Sequence, residues 1–113
     1  MTRETRRRLD DIGRAIASIR GYVGGSLEKP EIRDPVVLDA VLYNLIVIGE
    51  AAKNVEAAVR ARVEHVPWSE YAGLRDLLAH QYFRVQKEIV EDTVRTDLPT
   101  LEEAVTTLLR ESG

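Results

Sequence analysis

Cysteine is absent from the 113 residues, so neither a disulfide framework nor a thiolate metal site can form, which fits a reducing compartment. Aromatic residues make up only 5%, and lysine is nearly as scarce: of 16 basic residues, 13 are arginine and three are lysine. No stretch shows the period-two alternation of a half-buried strand, despite abundant valine and isoleucine. The longest apolar run, AVLYNLIVIG at 40–49, falls well short of the roughly 20 residues of a membrane span. The start, MTRETRRRLDD, has charge but no apolar h-region, so no signal peptide is expected. What is present is the profile of a soluble globular chain, 44% hydrophobic and 31% charged. A chain of this length buries roughly two thirds of its unfolded surface, enough for one core without staples. The net charge of −3 argues against coating nucleic acid by bulk electrostatics but leaves room for a local basic cleft. The expectation is one cytoplasmic domain spanning 1–113.

Punctuation falls at Gly24-Gly25-Ser26, Arg33-Asp34-Pro35 and Val66-Pro67-Trp68. Between these breaks the pattern is helical. Leu9, Ile12, Ile16, Ile19 and Val23 recur at spacings of 3 and 4, one face of a first helix that the glycine pair should close. Asp34 as N-cap and Pro35 at the first position open a second. Leu38, Val41, Leu45, Ile48, Ala52, Val55 and Val59 extend its stripe, predicting one helix from 35 to about 63. Leu42, Ile46 and Gly49 widen the stripe, as expected of a central bundle helix or of one that also carries a dimer face. A third helix, about 67–81, turns Trp68, Tyr71, Leu74 and Leu78 inward. A break near 83–85 precedes a fourth, about 86–96. Pro99, with Asp97 as N-cap, is expected to start a fifth carrying Leu101, Val105, Leu108 and Leu109. The fold class is all-α, an antiparallel four- to five-helix bundle.

Phosphate-loop, dinucleotide, zinc-protease and nucleophile-elbow motifs are all missing, and no Glu-x-x-His pair suggests a di-iron site. Chemistry concentrates in residues 73–83, GLRDLLAHQYF, where Arg75, His80 and Tyr82 lie within eight residues. On a helix Arg75 and Tyr82 share a face within about 20°, while Arg75 and His80 stand about 140° apart. Arginine offers a planar, permanently charged fork for phosphate. Histidine exchanges protons near neutral pH. Read blandly, the same residues are a helix-terminal histidine meeting the dipole, a surface arginine beside Asp76 and a packing tyrosine. Arg84 and Lys87 extend the positive patch; Arg6-Arg7-Arg8 is a solvated helix start or a phosphate contact; His65 reads as structural. Glu50, within an apolar helix, is either an exposed polar residue or, as the preferred expectation, a partner for Arg75.

The stretch Arg75-Asp76-x-x-x-His80-x-Tyr82 resembles the Arg-x4-His-x-Tyr motif of the HepT-like toxins, a branch of the HEPN superfamily. Ile48-Gly49-Glu50-Ala51-Ala52-Lys53 resembles the family's mid-helix segment, Val66-Pro67-Trp68 its Pro-Trp helix start, and Asp97-Leu98-Pro99-Thr100-Leu101 its closing Leu-Pro-x-Leu. The resemblance runs in order from about 5 to 110. It departs at Asp76, where HepT members often carry Asn.

The resemblance implies a HEPN-like helical homodimer that cleaves RNA without metal, Arg75 and His80 of both chains meeting in an interface cleft. It further implies a two-gene toxin–antitoxin module, in which a minimal nucleotidyltransferase, MNT, transfers AMP from ATP onto Tyr82 and silences the toxin. His80 would move protons, Arg75 would neutralise transition-state charge, and Asp76 would orient a motif residue across the interface or cap polar backbone. The expected partners are therefore RNA, the nucleotidyltransferase antitoxin and a second copy of the chain. No DNA, membrane, cofactor or metal is expected. The alternative is a non-catalytic HEPN dimer that serves as binding partner and substrate of a nucleotidyltransferase.

Overall fold

The computed structural model describes residues 1–81 and 85–111; the side chains of residues 75–77, 79 and 81 are outside that description. Among the described residues there are five α-helices and no strand, so the all-α expectation holds. The helices are α1 (Arg3–Tyr22), α2 (Pro35–Lys53), a short α3 (Ala57–Arg60) continued by a 3-10 turn at Ala61–Val63, α4 (Trp68–Gln81) and α5 (Lys87–Glu111).

Helix α1 starts at Thr2, whose hydroxyl accepts from the Thr5 N–H at 3.0 Å. It ends as expected at the glycine pair. Gly24 and Gly25 adopt φ of 99° and 95°, where a Cβ would be strained, and the Gly25 N–H closes on the Arg20 carbonyl at 2.8 Å. Leu9, Ile12, Ile16, Ile19 and Val23 are all fully buried. Helix α2 is capped as its sequence predicts, with Asp34 Oδ1 accepting from the Val37 N–H at 2.9 Å behind Pro35. It is long and apolar enough to cross a membrane on composition alone. Here its apolarity is used by packing against α4 and α1.

Two expectations fail, each for a tertiary reason. The second helix does not run on to about 63; it stops at Lys53. Asn54 and Val55 donate back three residues, to Ala51 and Ala52, and Asn54 Nδ2 bonds the Glu50 carbonyl at 2.8 Å. The next residues are held by α1: the Glu56 N–H donates to Thr5 Oγ1 at 3.2 Å, and Thr5 Oγ1 donates to Glu56 Oε2 at 3.2 Å. Val55 and Val59 are buried in the core all the same.

Nor does Pro99 begin a fifth helix with Asp97 as its cap; it lies inside a continuous α5. An internal proline costs about 3 kcal/mol. The stripe Val94, Leu98, Leu101, Val105 and Leu108 is almost wholly buried across it, and each such side chain gains roughly 1.5–3 kcal/mol from burial. Continuity of the stripe outweighs the proline. The separate fourth and fifth helices of the sequence reading are therefore one.

The long helices alternate in direction. Glu102 pairs with Arg20 at 2.6 Å and Val105 lies 3.9 Å from where a Cβ on Gly13 would stand, so α5 runs antiparallel to α1. Thr5 with Glu56 and Arg62 with Glu111 gather the start of α1, the end of α2 and the end of α5 at one end of the bundle. The opposite end holds the start of α2, the end of α4 and the start of α5.

Candidate functional site

Helix α4 begins where Pro67 restarts the chain, its carbonyl accepting from the Glu70 and Tyr71 N–H groups at 3.0 and 3.3 Å. Trp68, Tyr71 and Leu78 are buried, with Leu74 packed beside them, as their spacing predicts. This fixes the helix's rotation. His80 follows Leu78 by two residues, about 200° around the axis, and is exposed on the last turn. A histidine core role is thereby excluded.

The axial position of His80 follows from one hydrogen bond. The Tyr71 hydroxyl donates to the Asp97 carbonyl at 3.0 Å. Gln81 lies ten residues beyond Tyr71 and Lys87 ten before Asp97, so both stand roughly 15 Å from that bond, on the same side, at 1.5 Å per residue. The end of α4 and the start of α5 are level. His80 and Lys87 therefore belong to the same end of the bundle, and Lys87 is exposed there.

Burial of Tyr71, aided by the charges of Asp97 and Glu70, pushes its hydroxyl pKa up to about 12. It is a neutral donor at any physiological pH, suited to fixing α4 rather than to proton transfer. Glu56 behaves oppositely. Burial works to raise its pKa, but hydrogen bonds from Thr2 and Thr5 and the nearby amino terminus together hold it below its ordinary value.

Of the site residues read from sequence, Arg75 and Asp76 fall on α4, with side chains outside the described residues. Tyr82 and Arg84 lie wholly outside them. Glu50, expected to partner Arg75, is half-buried on α2, the helix that packs most closely against α4, with Oε2 buried. His65 is exposed in the turn before Pro67. The arginines at the start of α1 sit at the far end from His80, in a bundle about 39 Å long. Arg7 and Arg8 pair there with Glu4 at 3.5 and 2.9 Å, which offsets their unfavourable place at a helix N-terminus.

A family model described as "Ribonuclease HepT-like" matches residues 12–108. The chain belongs to the HepT-like family. Its relatives include a Thermococcus cleftensis protein bearing the name ribonuclease HepT, 34% identical over 101 residues, which cover 89% of this chain and 92% of that one. A Caldanaerobacter subterraneus protein with an RNase name is 40% identical over 79 residues, 70% of each chain. A longer Methanocaldococcus jannaschii protein, named as a gamma-glutamylcyclotransferase together with an RNase, is 31% identical over 111 residues; this chain spans about half of it, 50%. No solved structure matches. The HepT-like match encloses α4 and the whole Arg75-to-Tyr82 stretch.

Sequence reasoning missed the loop before α2. Ile32 and Arg33 look like ordinary linker, yet the Ile32 N–H donates to Glu91 on α5 at 2.8 Å across 59 residues, a pairing that no local pattern announces.

Proposed function

We propose that this HepT-like protein is a metal-independent endoribonuclease, the toxin of a two-gene toxin–antitoxin module, working in the cytoplasm as a homodimer. The observation that carries the reading is an exposed His80 on the last turn of α4, inside the family match. His80 takes the proton of an RNA 2′-OH as that oxygen attacks the neighbouring phosphorus. The new O2′–P bond forms as the P–O5′ bond breaks, and the leaving 5′-oxygen takes a proton from the His80 of the second copy. The products are a 2′,3′-cyclic phosphate and a 5′-hydroxyl. Arg75 neutralises charge on the phosphorane-like transition state. With one such histidine per chain, base and acid require two chains. Asp76 orients the motif, and Lys87 with Arg84 contacts RNA phosphate.

The dimer reading is supported by α2. Val36 and Tyr43 are 76% and 66% exposed, and Ala40 and Val47 between and beyond them are half-exposed. The spacing of 4, 3 and 4 places them along one apolar stripe on the side of α2 away from buried Val41, Leu45 and Ala52. Silencing is by a nucleotidyltransferase antitoxin that transfers AMP to the Tyr82 hydroxyl with release of pyrophosphate from ATP. The added anion, two residues from His80, blocks the cleft and repels RNA phosphate.

The test is cleavage of bulk cellular RNA in excess EDTA by purified protein with Tyr82 unmodified by mass. Wild type cleaves and leaves cyclic phosphate ends, while His80→Ala does not. Absence of cleavage by both overturns the enzyme in favour of a non-catalytic dimer that serves as nucleotidyltransferase substrate.

A further inference from the structure

At the His80 end of the bundle, a cleft of about 330 Å3 opens between the loop at 32–34, the first turn of α2 and the first residue of α5. That volume is at the small end of ligand pockets, the scale of one nucleotide rather than a strand. Its floor is apolar: Ile32, only 3% exposed, with Pro35 and Leu38. Its rim carries two cations, Arg33 and Lys87. Arg33 has one loose partner, Glu31 at 3.5 Å, with both side chains largely in solvent. Lys87 is exposed and pairs with no carboxylate among the described residues.

Of the acids nearby, Glu31 and Glu88 stand in solvent, while Asp34 and Glu91 hold backbone N–H groups. Asp34 lines the cleft, but its Oδ1 is held by the Val37 N–H as the helix cap. Glu91 accepts from the Ile32 N–H. These two bonds, with the Glu31 N–H on the Val23 carbonyl at 2.9 Å, hold the loop in place before any ligand arrives. A preformed loop lowers the ordering cost of binding to that of the two rim side chains.

We infer that this cleft is a subsite for one unstacked nucleotide of single-stranded RNA, flanking the nucleotide that is cleaved. The inference rests on the ribonuclease reading. Base faces are apolar and lie on aliphatic floors or on the plane of an arginine, while phosphate seeks the cations beside them. An apolar floor edged by an arginine and a lysine offers both in one cleft. A base inside a duplex cannot enter, so the site selects unpaired RNA. The cleft is compatible with the dimer: Leu38 stands roughly 140–180° around α2 from Val36, Ala40, Tyr43 and Val47, so a partner on that stripe leaves it open.

The experiment titrates a short, uncleavable 2′-O-methyl RNA into isotope-labelled full-length wild type and His80→Ala, following backbone amides, and measures RNA cleavage in parallel. Shifts at Ile32, Arg33, Leu38 and Lys87 in both proteins are expected. Arg33→Ala with Lys87→Ala should lower the salt slope of binding by about 1.4, at roughly 0.7 per lost phosphate contact on a single strand. Leu38→Trp, which fills the floor, should raise KM with kcat retained; Arg33→Glu tests the same from a solvent-exposed position. Normal cleavage by wild type, Leu38→Trp and Arg33→Glu, with the four amides unmoved, overturns the subsite and leaves the ribonuclease standing. Shifts at those amides without any cleavage keep the nucleotide site and remove the ribonuclease.

Discussion

The Tyr71 hydroxyl donates to the Asp97 carbonyl at 3.0 Å, pinning the middle of α5 to the first turn of α4. Everything at the His80 end is measured from that bond. It sets α4 and α5 level, so that the last turn of one and the first turn of the other lie at the same end of the bundle.

Tyr71→Phe keeps the ring and removes the bond. It should cost about 1 kcal/mol and lower the melting temperature by about 4 °C. The folded-state pKa is raised to about 12 from 10.0, so the tyrosine's contribution is complete below pH 10 and is lost as pH rises from 10 toward 12. Urea titrations from pH 8 to 11 should show wild-type stability falling with pH more steeply than that of the variant. Equal slopes would place the tyrosine hydroxyl in solvent.

Glu56 offers the acid counterpart. Its pKa is lowered from 4.5, so its bonds to Thr2 and Thr5 stabilise the fold above that value and fade as pH falls through the lowered one. Glu56→Gln should melt below wild type at neutral pH, and the gap should narrow in acid. A gap that stays constant down to pH 2.5 would mean that the carboxylate charge is not what matters.

Because His80 is exposed on a helix's last turn, His80→Ala should leave circular dichroism and melting unchanged. Cleavage should fall by at least the roughly 10²–10⁴-fold that general acid–base catalysis supplies. Unfolding of the variant would return His80 to a structural role. Arg75→Lys should also be strongly impaired, since a point charge cannot present two parallel donors to a phosphate.

Pro99→Ala restores a helical N–H within α5. The helix gain of about 3 kcal/mol, less the roughly 1 kcal/mol by which proline restricts the unfolded chain, predicts a net stabilisation of about 2 kcal/mol by thermal melting. Destabilisation would show that the helix needs the proline's bend to bury Leu98 and Leu101.

Tyr43→Arg tests the outward stripe of α2. With 66% of the tyrosine exposed, the fold should be indifferent, while light scattering should show a monomer and RNA cleavage should collapse with it. A variant that stays dimeric moves the interface elsewhere.

Composition and periodicity alone determined the helical class, the buried stripes of α1 and α4, the Asp34-Pro35 helix start and the glycine stop. These are local facts: 3.6-residue spacing, one cap hydroxyl or carboxylate, one permissive backbone. The HepT-like resemblance was equally legible, because an ordered set of short motifs needs no three-dimensional information. What only the tertiary structure decided depends on residues far apart in the chain. Helix α2 ends at Lys53 because Thr5 holds Glu56, and helix α5 runs through Pro99 because its stripe meets a core that outweighs one lost hydrogen bond. The cleft of Ile32, Pro35, Leu38 and Lys87 exists because Glu91 binds a backbone N–H 59 residues away. Local pattern reports which face of a helix wants burial; only packing determines what that face meets and where a helix must yield.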